Sequence, residues 1–208
     1  MIKIIRSRHG HGDYKSEHIR ELIKQDFGRI CYLCEGEPVQ NWEIDHFYPR
    51  QYFDYLENVI DNLFYICSKC NKIRPKDVNT AGKKVLNPCV DDVDKILTLV
   101  MDLSNKVIEI NSPCSSEKIN NSIELLNKIY NGIETKSSGY KDLRDDIFQI
   151  LVELKEDILD YHENKVGTFL EDNWIRKFNN EIMKKPSKYF SLKKSLANEL
   201  SNQLNLCL

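Results

Sequence analysis

Apolar side chains recur at three- and four-residue steps along much of the chain, the spacing that gathers them on one face of an α-helix. Ile19, Leu22 and Ile23 do so within residues 14–27, and Gly28 stands where a helix C-cap belongs. Ile96, Leu97, Val100 and Met101 predict a second helix, and Ile119, Ile123, Leu126 and Tyr130 a third. Leu143, Ile147, Ile150, Leu151, Leu154, Ile158 and Tyr161 predict a longer one of about five turns. Two more are predicted over 168–184, stopped by Pro186, and over 191–204. Such stripes read first as core and as faces for neighbouring helices. Alternation is rarer: Trp42 and Ile44 interleave with Glu43 and Asp45 as in a short strand ending at His46, and Lys106-Val-Ile-Glu-Ile110 suits a short edge strand. The polar, turn-rich stretch from Asn87 to Asp92 marks a boundary near residue 90. The pattern predicts a mostly helical α+β chain, with a small unit over 1–90 and a helical region over 91–208.

Composition narrows the class. The chain has 208 residues, 41% hydrophobic and 30% charged, as in soluble globular proteins. Neither a membrane-length apolar run nor a signal-peptide pattern stands out, and Lys3 and Arg6 interrupt the apolar N-terminus, so a cytoplasmic protein is expected. Seven cysteines cannot pair completely, which makes metal binding their leading use. The net charge of −2 gives no global attraction to nucleic acid. Residues 1–90 carry 14 basic against 12 acidic groups, and the rest 16 against 20.

The strongest chemical motif is Cys31-x-x-Cys34 followed by Cys67-x-x-Cys70. Each pair can grip one face of a tetrahedral ion, and four thiolates suit a closed, structural Zn²⁺ site. Cys89, Cys114 and Cys207 are expected to stay free. Between the knuckles lie Asp45-His46-Phe-Tyr-Pro49 and Asp61-Asn62-Leu63, and Asn71 follows Cys70 directly. A carboxylate, an imidazole and two carboxamides are thus tied close to the clamp. His9 and His11, in a glycine-rich segment, read as solvated linker residues, and His18 as an exposed helical one.

These residues in this register, over about residues 29–76, resemble the HNH endonuclease family, whose core is a zinc-stapled ββα-metal finger. The family pattern often has His where this chain has Asn71, and Lys where it has Arg74. The resemblance implies a Mg²⁺ or Mn²⁺ ion on Asp45 and the Oδ1 of Asn71, with His46 activating water for phosphodiester hydrolysis. Hard ions of this kind need only one or two protein oxygens beside phosphate and water, and an imidazole with an ordinary pKa of about 6.5 suits the proton transfer. Adjacent strand residues point to opposite faces, so Asp45 and His46 meet one phosphate only if the strand end twists. Asn62 would brace the loop between the strands and help fix His46. Arg50 and Arg74 are candidate phosphate contacts. Pro75 requires the helix carrying Asn71 to be short, distorted or displaced.

The chain also resembles the HNH subunit of Septu-type anti-phage defence systems, through Trp42 to Pro49, Asn62 to Cys67 and Val85 to Asp92 followed by a helical tail. That implies an ABC/AAA-like ATPase partner docked on the helical stripes, DNA as substrate, no membrane, and a homo-oligomer within a larger complex as an option. The alternatives are a free-standing restriction or homing-type HNH nuclease, and a catalytically silent zinc module binding nucleic acid or protein.

Overall fold

A computed structural model describes residues 1–38, 42–75, 84–132 and 138–207, with backbone alone for 138–142. Helix α1 (Glu17–Asp26) opens at Ser16, whose hydroxyl accepts from the Ile19 amide and so satisfies an N-terminal donor. It buries Ile19 and Ile23. The chain leaves it through Gly28 at φ +58°, where an added Cβ would sit 2.1 Å from the Pro186 ring, so the backbone and the neighbour both demand glycine. Strands β1 (Trp42–His46) and β2 (Leu63–Cys67) pair antiparallel, with Trp42 opposite Cys67 and His46 opposite Leu63. All of β2 is buried. Helix α2 (Ser68–Ile73) follows at once, capped by the Cys67 sulfur accepting from the Cys70 amide at 3.4 Å. Arg74 is extended, as the residue before a proline prefers, so α2 stops before Pro75 can intrude.

The second region departs from its helical pattern at the start. Ile96, Leu97, Val100 and Met101 do not share one helix: α3 (Val93–Ile96) lasts four residues, and β3 (Thr98–Asp102) follows. It pairs antiparallel with β4 (Val107–Asn111), the predicted edge strand, whose Ile108 and Ile110 face inward. Five apolar residues in the six from Ile96 to Met101 suit either period, and a cross-strand partner decides between them. Beyond Ser116, which caps α4 (Glu117–Asn131) through the Ile119 amide, the regular elements among the described residues are helices. Asn131 returns to the sheet, accepting from the Ile108 amide and donating to its carbonyl, which blunts the outer edge of β4. Helix α5 (Ser138–Asn164) is the long element. The segment predicted as one helix over 168–184 is shorter and divided: α6 (Glu171–Lys177) runs into a π turn over Phe178–Ile182. Tyr161, Trp174 and Phe178 stack in series at 4.0 and 4.8 Å, and this stack ties the divided segment to α5. Helix α7 (Phe190–Leu204) returns across α5 and β3.

The stripe Leu143, Ile147, Leu151, Leu154 and Ile158, expected to offer a docking face, is buried in the protein's own core. Nor do the two regions stand apart. One continuous apolar cluster runs from Met1 and Ile4 through β2 to α5 and α7. Polar contacts cross it as well: Tyr130 donates to the Leu33 carbonyl at 3.1 Å, and Ser122 accepts from the Leu86 amide at 2.8 Å. The Glu35 carboxylate, buried in the first cysteine knuckle, accepts from the Ser191 amide and hydroxyl at 2.7 and 2.5 Å. No helix among the described residues is long and apolar enough to cross a membrane.

Candidate active site and cysteine cluster

The two cysteine pairs are set by two tight local turns. In the first, the Cys31 amide donates to the Gly36 carbonyl, the Glu35 amide donates back to Cys31, and Glu35 takes φ +58°. The Gly36 amide then points at the Cys34 sulfur, 3.3 Å away. In the second, the α2 cap turns Cys67 toward Cys70. The antiparallel pairing of β1 with β2 brings the knuckles together. All four sulfurs lie within 4.8 Å of one another and are buried, and Cys34 and Cys67 are 3.9 Å apart. A tetrahedron of bonds near 2.3 Å sets its sulfurs about 3.8 Å apart, so the cluster can hold a zinc ion. Hydrogen bonds from Cys31, Cys34 and Cys70 hold Cys67 as the thiolate of the group. The same close association, led by Cys31, pushes Cys34 and Cys70 well up. Four like acids at this distance share their charge unequally, and a divalent cation is what lets all of them ionise. Cys89 is half-buried and Cys114 and Cys207 are exposed, all outside the cluster.

At the far end of β1 a cavity of about 320 Å³ is lined by Tyr14, Asp45, His46, Pro49, Arg50 and Asn71, with Ile44 and Gln51. Asp45 and His46 are neighbours on a strand, yet both reach this space, because β1 ends there and the chain turns. The His46 Nε2 lies 2.9 Å from the Glu57 carbonyl. A carbonyl only accepts, so Nε2 carries the proton and Nδ1 is the basic nitrogen. Burial is the main influence on this imidazole and pulls its pKa below the ordinary 6.5, against the Glu57 hydrogen bond and the Asp45 charge. Tyr14 packs edge-on against it, ring centroids 4.8 Å apart. Asn62 is 3% exposed and spans the loop: its Oδ1 accepts from the Tyr48 amide at 2.7 Å, and its Nδ2 donates to the Tyr48 and Leu56 carbonyls. Leu56 adjoins Glu57, so the brace reaches the residue that orients His46.

Asp45 and Arg74 occupy different places from those the pattern suggests. Asp45 is more buried than Ile44 beside it, and its Oδ2 receives the Tyr32 hydroxyl at 2.8 Å and Arg74 Nη1 at 2.7 Å. An ionised carboxylate has about four acceptor positions, and Asp45 also lines the cavity. Arg74 is a correction. Its side chain is 1% exposed and also donates to the Phe47 carbonyl at 2.7 Å, so it is an internal counter-ion and not a surface phosphate contact. The reason is that α2 ends at Ile73, which turns residue 74 back under β1. Arg50 is half-exposed at the cavity, its Nη1 donating to the Tyr14 hydroxyl at 2.6 Å and to Glu57 at 3.2 Å. Asn71 donates through Nδ2 to Glu43 at 2.6 Å, a contact that does not use its amide oxygen.

Sequence reasoning missed Tyr14, Glu57 and Tyr32. Glu57 and Tyr32 lie near the motif, but Glu57 acts through its backbone and Tyr32 sits inside a cysteine pair, so no residue type marked either. Tyr14, remote in sequence, carries no local mark. His9, read as a solvated residue, is exposed but meets Asp61 at 2.5 Å. No protein-family model, curated protein or solved structure matches this chain.

Proposed function

We propose that this chain is a metal-dependent endonuclease of the HNH kind that hydrolyses DNA phosphodiester bonds, with a structural Zn²⁺ on Cys31, Cys34, Cys67 and Cys70. The observation that carries the reading is the convergence of Asp45, His46, Arg50 and Asn71 on one cavity beside the cysteine cluster. Asp45 and the Asn71 amide oxygen are the hard donors that would hold Mg²⁺ or Mn²⁺. Such an ion, when bound, offsets charge on the phosphate and on the departing 3′ oxygen. His46, kept neutral by burial and oriented by Glu57, takes the proton of the attacking water on Nδ1. Asn62 keeps the loop carrying Glu57 in place. Arg50, steered by Tyr14 and Glu57, meets the phosphate at the cavity rim. Products with 5′-phosphate and 3′-hydroxyl ends follow from loss of the 3′ oxygen.

The test is His46→Ala assayed on plasmid DNA with Mg²⁺. Cleavage should disappear while the fold and the zinc content stay intact, because His46 touches no cysteine of the cluster. Nicking by the variant at the wild-type rate would end the proposal. The reading extends to a defence complex with an ATPase partner, since near-neutral charge gives this chain little counterion-release affinity for DNA. With the α5 stripe internal, that partner is to be sought at the exposed Val166, Phe169 and Leu170 of the α5–α6 turn. Unchanged copurification of the ATPase with Phe169→Asp would move the contact elsewhere.

A further inference from the structure

Arg6 is 8% exposed and sandwiched between the Phe27 and Phe64 rings, 4.6 and 4.8 Å from their centroids. Its Nη2 donates to the Leu63 carbonyl at 2.5 Å, while the buried Nε and Nη1 have no hydrogen-bond partner. Among the described residues no carboxylate lies within ion-pair distance of it. Asp26, the nearest in influence, gives Oδ1 to the Ser7 amide and does not line the adjoining space. A buried cation with two unsatisfied donors and no counter-ion costs several kcal/mol. Arg6 borders a cavity of about 480 Å³ that lies behind the His46 loop and is separate from the cavity at His46. Lys3, His9, Tyr48, Leu56 and Cys89 share its lining. The Lys3 ammonium is fixed by the Val90 carbonyl at 2.6 Å, and Asp61, the acid on this lining, is engaged with His9. The polar side is thus cationic and the Tyr48 and Leu56 side apolar, within the size range of small-ligand sites.

We propose that this cavity binds a phosphomonoester, with its phosphoryl group on Arg6 beside Lys3 and His9 and an uncharged ring system against Tyr48 and Leu56. A nucleoside monophosphate and the 5′-phosphorylated end of a nucleic-acid strand share that chemistry. The inference stands independently of the nuclease reading. Half-buried Cys89 reports on the cavity, so the experiment is iodoacetamide labelling of the full-length protein, read per cysteine by mass spectrometry, with exposed Cys114 and Cys207 as internal controls. AMP raised to about ten times its half-protecting concentration should slow labelling of Cys89 about tenfold. It should leave the controls unchanged, and adenosine should do nothing. Protection by a 5′-phosphorylated oligonucleotide but not AMP assigns the site to strand ends and also supports the proposal. Equal protection by adenosine and AMP, or none from inorganic phosphate, AMP and the phosphorylated oligonucleotide at about 10 mM, overturns it. Arg6→Lys, which keeps charge but loses donors, should raise the half-protecting concentration about tenfold. If that variant fails to fold, Lys3→Gln, which leaves Arg6 in place, should raise it severalfold, and an unchanged value counts against the site.

Discussion

Arg74 shows how one side chain can change the meaning of a motif. Surface phosphate contacts are dispensable for folding, whereas a buried guanidinium paired with Asp45 and hydrogen-bonded to Phe47 holds the end of β1. Replacing it with Met takes the cation from the buried Asp45 carboxylate, so a loss of about 3–5 kcal/mol is expected in urea unfolding. A surface role would instead lower DNA affinity and leave the unfolding midpoint alone. His46 makes a second prediction at this scale. In the proposed reaction its neutral form is the active one, and burial lowers its pKa, so protonation would inactivate it only as pH falls through a value under the ordinary 6.5. The acid limb of the cleavage rate should therefore lie below pH 6.5, and a limb near neutrality would mean that another group is the base. The residue types at the site were legible because Asp45-His46, Asn62 and Asn71 keep a recognisable spacing. The buried state of Asp45 was not, because a carboxylate on a strand face reads as solvated until its cation, 29 positions later, is seen beneath it.

At the level of elements, the cysteine knuckles add a second fastening to the apolar cluster that runs through β2. Helix α2 has six residues, too few to persist alone, and its first turn is capped by the Cys67 sulfur. Cys67→Ser should therefore reduce bound zinc from one equivalent to a small fraction and lower the melting temperature; unchanged zinc with unchanged melting would refute the four-cysteine site. Removal of zinc by a chelator should destabilise β1, β2 and α2 before it affects α5. The elements with long uninterrupted periodicity, α4, α5 and α7, lie close to where the sequence puts them, and so does α1 with its Gly28 exit. Strand β3 was hidden because five apolar residues in six cannot separate a period of two from one of 3.6, and only pairing with β4 resolves it. The divided segment over 171–182 was hidden for a different reason, since the stack of Trp174 on Tyr161 and Phe178 is a tertiary contact.

For the whole molecule, the turn-rich stretch near residue 90 joins two parts of one body. Tyr130 reaches Leu33 and Ser191 reaches Glu35 across it, and the apolar cluster is continuous through both. A chain cut after residue 90 uncovers Leu33 and the apolar cluster around β2, and exposed apolar area of that kind drives aggregation. Such a fragment should precipitate or lose its metal on gel filtration, and a monomeric, zinc-loaded fragment would show that the finger is autonomous after all. Composition marks the two regions, but sequence carries no trace of which side chains bridge them, because the bridges join residues from 36 to 156 positions apart. The two tryptophans turn this unity into light. Trp42 lies between Arg20 and the Tyr65 ring in the strand beside the cysteines, whereas Trp174 sits in its own aromatic stack at the far helices. The intrinsic emission therefore has one source at each end of the body, and single-tryptophan versions would show by the coincidence of their emission shifts whether the two ends melt as one.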